Sequence, residues 1–94
     1  MPPISDFSEG DQITGIFHIL AVERLRFQEK QGSYLRLTLS DATGTITGLC
    51  FDPDLVPIRL HEGMTVHIKN AAITSYKDRL RLHFLPGSIS KQDF

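Results

Sequence analysis

The stretch YLRLTLSDATGTITGLCF, residues 34–51, decides the fold. Its first half alternates strictly, with a leucine at every second position from 35 to 39, which is the period of a half-buried β-strand. The tetrapeptide DATG, residues 41–44, is typical of a tight turn, because Asp can bond the backbone ahead of it and Gly accepts positive φ. The stretch therefore predicts a hairpin made of strands at residues 33–40 and 45–51.

Upstream of this hairpin, residues Gln12–Arg26 are rich in β-branched and aromatic side chains and predict one long first strand. A strand of that length far exceeds the usual ~5–6 residues. Gly15 is a position where it can bend. We therefore expect the strand to curve between two sheets, with a polar loop at residues 28–32 leading into the hairpin.

Downstream, two prolines in residues 52–64 exclude a long strand. Leu55, Ile58 and Leu60 predict one short amphipathic helical turn there. The other predicted elements are a fourth strand at 65–72, a polar loop at 74–78 and a fifth strand at 79–84. Three strands, a helical link and two more strands suit a small closed barrel better than a sandwich, because five strands leave a sandwich too few per sheet.

The chain of 94 residues fits one domain. Its 40% hydrophobic and 22% charged residues are close to globular averages. We expect a lead-in at residues 1–11, a barrel at about 12–85 and a tail at 86–94. The N-terminus has no signal-peptide pattern, and no apolar run approaches the ~20 residues that a membrane span needs. These features predict a cytoplasmic protein without a membrane partner.

The formal net charge of −1 excludes a strongly basic nucleic-acid binder. The distribution of charge is more informative, because residues 24–36 and 69–81 together hold eight of the ten Lys and Arg residues and only two acids. On the predicted barrel these windows span the strand 1–2 and strand 4–5 loops, so a nearly neutral protein can still present a local positive groove. Solvated hairpin tips explain the same charges, and both interpretations stay open.

Aromatic side chains accompany these cations. By alternation Tyr34 and Phe51 point outward, and Tyr76 lies in the predicted second loop. Exposed rings stack on the bases of single strands, whereas cross-strand pairing of Tyr34 or packing of Phe51 under the helical link is the structural alternative. Leu49 shares the outward parity of Phe51, and an outward Leu49/Phe51 pair could also form a homodimer contact.

Residues 34–51 resemble the strand 2–turn–strand 3 signature of OB-fold domains of the anticodon-binding type. In that signature an Asp ends a strand, a Gly closes the turn, an aliphatic residue follows and an aromatic residue ends strand 3. Those places are taken by Asp41, Gly44, Ile46 and Phe51. The same pattern is similar to the ssDNA-binding domains of replication protein A, and that likeness implies base stacking for Phe51.

The chain also resembles the N-terminal OB domain of HD-domain 3′–5′ exoribonucleases, through ISDFSEGDQITGIF, LHEGMTVHIKNAAI and the closing QDF. The resemblance implies a five-stranded Greek-key OB-fold barrel with a short helical link between strands 3 and 4, and a nuclease domain as partner. The sequence has no HD dyad, so hydrolytic activity is not implied. Gly48 and Cys50 are smaller than the residues many such barrels carry there.

Catalytic and metal-binding patterns are missing from the sequence. The single cysteine, Cys50, falls on the inward parity of strand 3 and there is no CxxC, and the four histidines have no ligand spacing. GxSxG is absent as well. We therefore expect no cofactor, no metal and no enzymatic activity in this chain.

The first hypothesis is non-catalytic binding of single-stranded RNA or DNA over strands 2 and 3, between the strand 1–2 and strand 4–5 loops. The expected stacking residues are Tyr34, Phe51 and Tyr76. The expected phosphate contacts are Arg26, Lys30, Arg36, Lys69, Lys77 and Arg79, among which the outward parity of Arg36 is shared with Tyr34. The second hypothesis is a protein-interaction or homodimerising barrel, so that the chain is either a monomer or a weak homodimer.

Overall fold

A computed structural model describes residues 3–92 of the chain. Its strands are β1 Gln12–Arg26, β2 Ser33–Asp41, β3 Gly44–Cys50, β4 Thr65–Tyr76, β5 Arg79–His83 and β6 Ile89–Lys91. Short 3₁₀ turns lie at Ile4–Asp6, Pro53–Leu55 and Pro86–Ser88. Within this part of the chain no helix is long and apolar enough to cross a bilayer. The likeness drawn from the closing QDF falls partly on residues 93 and 94, outside the described residues.

The first five strands close into a ring in the order β1-β2-β3-β5-β4, with β4 returning to β1. The β3–β5 pair is parallel, and the other four pairs of the ring are antiparallel. This is the connectivity of a five-stranded Greek-key OB-fold barrel. The predicted fold class is therefore confirmed, with a short 3₁₀ turn in place of a helix between β3 and β4.

The long strand β1 belongs to two sides of the ring. Residues 12–18 pair with β4, and residues 18–26 pair with β2. The register shifts between Ile13 and Gly15 and again between Ile19 and Ala21. The first shift places the extra residue in β4 and the second places it in β1. An extra residue bends its strand and increases the twist, so the second irregularity turns β1 from one pairing surface to the next, as its length predicts.

The core is filled by the inward positions that alternation predicts. Leu37, Leu39 and Cys50 are fully buried, and burial raises the pKa of the Cys50 thiol. Gly48 leaves space for Leu39, since a Cβ at position 48 would lie 2.8 Å from the Leu39 Cδ1 atom and this buried leucine would have to shift. The small residues at 48 and 50 thus make room for the large leucines of the neighbouring strand.

The predicted polar loop at residues 74–78 is wrong. β4 continues to Tyr76, where it pairs with Arg79 of β5, and the loop is only Lys77 and Asp78. Both have positive φ, 51° and 63°, which is the geometry of a type I′ hairpin turn. Polar residues at the end of β4 face solvent while their backbone is paired, so polarity alone suggested a loop.

The predicted helical turn is also too long. The 3₁₀ turn ends at Leu55, whereas Ile58 and Leu60 pack against the core from irregular chain. The segment expected as a tail contains β6, which pairs with β4 and buries Ile89. A strand of three residues carries too few positions for alternation to reveal it.

The lead-in is tied to the barrel through Asp41. The Asp41 carboxylate accepts hydrogen bonds from the backbone N–H groups of Ile4 and Thr43, at 2.8 and 2.7 Å, and from the Thr43 hydroxyl at 2.6 Å. Burial works to raise the pKa of Asp41, but these hydrogen bonds outweigh it and hold the pKa below its ordinary value. Ile4 and Phe7 are buried as a result.

Candidate nucleic-acid interface

The side chains of β2, β3 and β5 that point away from the core form one surface, which we call the outer face. Strand register sets their order on this face. Two neighbouring rows cross it: Arg36, Leu49 and His83 in one, and Thr38, Thr47 and Arg81 in the next. The β1–β2 loop lies beyond the first row, and the β4–β5 turn lies beyond the second. The two cationic loops therefore stand at the two ends of a common surface.

Four rings meet at the β1–β2 end of the outer face. The centroid of Phe51 is 6.0 Å from that of Phe27, 5.9 Å from that of Tyr34 and 5.4 Å from that of His83. Phe27 and Tyr34 are 5.1 Å apart. We call this set the aromatic platform. Phe51 remains 47% exposed although the other three rings pack against it. Its ring is therefore held in place and still accessible to solvent.

Sequence reasoning found Tyr34 and Phe51 but missed the other two rings. Phe27 directly follows β1, and only the closure of the β1–β2 loop brings it beside Tyr34. His83 has the outward parity that the sequence shows, yet its proximity to Phe51 depends on the parallel pairing of β3 with β5. Burial, and then the nearby charge of Arg81, lowers the pKa of His83 below its ordinary value.

Cations and acids both surround the aromatic platform. The Lys30 ammonium lies 4.4 Å from the Phe27 centroid, within cation–π range. Lys30, Arg26 and Phe51 line a hollow of about 980 Å³ together with Asp52 and Asp54. Asp54 is ion-paired with Arg24. The platform end is therefore mixed in charge rather than purely positive.

Arg36 lies on the outer face as its parity predicts, but it is not an isolated charge. Its guanidinium contacts the Glu23 carboxylate of the opposing strand at 3.0 to 3.3 Å. The two residues are register partners. Both side chains are partly exposed, and such a pair contributes only ~0–1 kcal/mol to stability. The pair can therefore open at little cost when an anion approaches.

The opposite end of the outer face is the tip of the β4–β5 hairpin. Tyr76 lies between two cations, with the Arg81 guanidinium 4.3 Å and the Lys77 ammonium 5.3 Å from its ring centroid. Arg79 pairs with Tyr76 across the strands. We call these four residues the cationic hairpin. Within residues 3–92 none of its three cations forms an ion pair, so their charge is available to a ligand.

The cationic hairpin borders a second hollow, of about 830 Å³. Thr38, Thr45 and Thr47 line it from β2 and β3. The sequence predicts one shared groove, whereas the structure has two separate hollows. One lies on the outer face beside the cationic hairpin, and the other lies between the β1–β2 loop and the segment that follows β3.

Two residues singled out in the sequence, Lys69 and Leu49, are not part of the exposed surface described above. Lys69 is exposed but lies at the bulge where β4 faces Thr14 of β1, beside Asn70 with its positive φ of 53°. The structure thus separates Lys69 from the cationic hairpin. Leu49 has the outward parity that alternation predicts, but it is only 3% exposed between Arg36 and His83, so it does not form an exposed pair with Phe51.

In the described part of the chain, no three His, Cys, Asp or Glu side chains lie close enough together to hold a metal ion. The His18 ring instead hydrogen-bonds the Thr65 hydroxyl at 2.8 Å.

No protein-family model matches the chain, and no curated protein matches it. Solved structures do. The OB domain of a Thermoplasma acidophilum protein has a TM-score of 0.79 at 20% identity, covering 99% of this chain and 87% of its own. A replication factor A related protein from Methanobacterium thermoautotrophicum has a TM-score of 0.78 at 19% identity, covering 99% and 91%.

The HINa domain of Ifi202, solved in complex with a 20 bp duplex DNA, has a TM-score of 0.71 at 14% identity. The match covers 97% of this chain but 44% of that one. At identities this low, the three likenesses support the OB fold alone.

Proposed function

We propose that this barrel binds single-stranded nucleic acid, RNA or DNA, without catalysis, and that one strand crosses the outer face from the aromatic platform to the cationic hairpin. The observation that carries the proposal is the half-exposed Phe51 ring on a four-ring cluster, on the same face as three cations that form no ion pair within residues 3–92. Stacking accepts any base and cations track the phosphates, so we expect little sequence preference.

The dimensions of the face suit this role. Thr45 and Phe51 mark the two ends of the outer face and are six residues apart along the chain. At a rise of ~3.3 Å per residue, this distance is about 20 Å. Single OB barrels occupy sites of about 4–16 nucleotides. By analogy of fold, the replication factor A related protein and the HINa domain solved with duplex DNA support nucleic-acid binding in general; the preference for a single strand rests on the exposed ring.

Fluorescence anisotropy with a labelled eight-nucleotide strand tests the proposal. If about four phosphates are contacted, log K falls with log salt at a slope of about −3. We expect Phe51→Ala to lose binding. We also expect replacement of the hairpin cations to weaken the salt slope. The absence of binding even at low salt overturns the proposal.

The homodimer hypothesis rested on an exposed Leu49/Phe51 pair. Because Leu49 is buried, only Phe51 remains available for that contact. Light scattering on the same samples keeps it testable. A concentration-independent dimer that Phe51→Ala dissociates would favour assembly over nucleic-acid binding.

A further inference from the structure

The hollow beside the cationic hairpin has a floor of hydroxyl groups. Thr38 and Thr47 are half-buried there and Thr45 is exposed. Within residues 3–92 the hydroxyls of these three residues form no hydrogen bond. Thr43, at the edge of the hollow, differs because its hydroxyl is engaged with Asp41 and Ser5. The floor therefore offers three unused groups, each able to donate and to accept.

These hydroxyls lie next to Arg81, one of the hairpin cations that the proposed function assigns to phosphate contacts. Arg81 is the register partner of Thr47, which in turn is the register partner of Thr38. Opposing residues on adjacent strands have Cβ atoms about 5 Å apart. A phosphate held by Arg81 would thus place its own sugar over Thr47 and Thr38. The 2′ position is one sugar carbon away from the 3′-phosphate ester, on the same ring.

We propose, on the basis of the function proposed above, that the threonine floor selects RNA over DNA by hydrogen bonding to ribose 2′-hydroxyls. A 2′-hydroxyl is both a donor and an acceptor and is the group that distinguishes RNA from DNA at a given site. Threonine hydroxyls match it in either direction. The hollow is lined by no amide or carboxylate that could read base edges, and the proposed function assigns its arginines to phosphate, so the selection concerns the sugar.

The test compares three octamers of adenosine by anisotropy: RNA, DNA and 2′-O-methyl RNA. Adenine is the same base in all three, so stacking on the aromatic platform is held constant. We expect RNA to bind about tenfold more tightly than DNA, which corresponds to one or two net hydrogen bonds. The 2′-O-methyl strand, which has lost the donor, is expected to bind like DNA.

The paired substitution Thr38→Val with Thr47→Val removes both hydroxyls and keeps the β-branched shape. We expect it to lower RNA affinity about tenfold, to the DNA value, and to leave DNA affinity unchanged. Unchanged DNA binding also shows that the variant is folded. Thr74→Val is the matched control, because Thr74 lies in the same row beyond Arg81 but does not line the hollow.

The outcomes separate the two proposals. If no strand binds, the proposed function fails. If RNA and DNA bind equally, that function stands and the selection of RNA is wrong. If the paired variant still prefers RNA, another group reads the sugar and the threonine floor is not the selector. Should the paired variant bind neither strand, the exposed single variant Thr45→Val decides, with a smaller loss confined to RNA expected.

Discussion

The aromatic platform and the cationic hairpin share one face of the barrel but handle charge in opposite ways. Near the platform, Arg24 and Arg36 are ion-paired with Asp54 and Glu23. At the hairpin, Lys77, Arg79 and Arg81 form no ion pair within residues 3–92. The platform thus exposes aromatic rings among ion-paired cations. The hairpin has only one ring, Tyr76, and its cations are available to a ligand.

This difference assigns separate roles to the two ends. Base stacking is worth ~1–3 kcal/mol per base and does not depend on salt, whereas phosphate contacts release counterions and are strongly salt-dependent. We therefore expect the platform to set the affinity that persists at high salt and the hairpin to set the salt slope. Substitutions at the two ends should be distinguishable by this criterion alone.

The largest effect is expected from Phe51→Ala at the platform. Loss of one stacking ring should weaken binding by ~1–3 kcal/mol, or about fivefold to 150-fold, without changing the salt slope. Salt-titrated anisotropy measures both quantities. Leu85→Ala is the control, since Leu85 is 71% exposed and lines neither hollow. Equal effects of the two substitutions would remove the platform from the site.

A smaller effect is expected from Arg81→Gln at the hairpin. Each lost phosphate contact makes the salt slope less negative by about 0.7, so the variant should bind severalfold more weakly at low salt and almost normally at high salt. Lys69→Gln is the matched control, because Lys69 carries the same charge but lies at the β1–β4 bulge. If Lys69→Gln lowers the affinity at low salt as much as Arg81→Gln does, the position of the charge does not matter and the hairpin is not a specific phosphate contact.

Glu23→Gln tests whether a paired platform cation can be converted into a free one. Releasing Arg36 should tighten binding about twofold to threefold at low salt, while stability changes by less than ~1 kcal/mol because the pair is exposed. Glu62→Gln removes the same charge elsewhere on the surface. Tightening in both variants alike would indicate a net-charge effect only.

The smallest effect concerns pH. Burial and the charge of Arg81 lower the pKa of His83, so a phosphate bound at Arg81 should raise that pKa again. Binding would then take up a proton, and affinity should rise about twofold on going from pH 7.5 to pH 5.5. The stability of the free protein has the opposite pH dependence to the affinity. Because the pKa of His83 is lowered in the folded state, its contribution to stability is present above the ordinary histidine pKa and is lost as the pH falls.

His83→Gln is expected to abolish this pH dependence of binding. A pH dependence that survives in His83→Gln would assign the proton to another histidine.

The barrel was largely predictable because its signals are local. Alternation in residues 34–51 predicted the β2–β3 hairpin and its inward side, whereas the reason for the small Gly48 emerges only from its contact with Leu39 in the structure. Tyr34 and Phe51 were found by the same parity. Where a strand carries polar residues while paired, as at the end of β4, or has only three residues, as in β6, the local signal fails.

The rest of the site depends on contacts between distant parts of the chain. Phe27 and His83 join the platform through loop closure and parallel strand pairing. The pairing of Arg36 with Glu23 follows from cross-strand register. The bulge that separates Lys69 from the hairpin contains Asn70 with a positive φ, and the sequence alone does not reveal this bulge.

The two tyrosines allow the most direct test that one strand spans both ends. The chain has no tryptophan, and Tyr34 belongs to the platform whereas Tyr76 belongs to the hairpin. Tyrosine fluorescence of Tyr76→Phe therefore reports the platform alone, and that of Tyr34→Phe reports the hairpin alone. On titration with an octamer, both variants should change their fluorescence with the same midpoint. A response in one variant only, or two widely separated midpoints, would show that the two ends do not share a ligand.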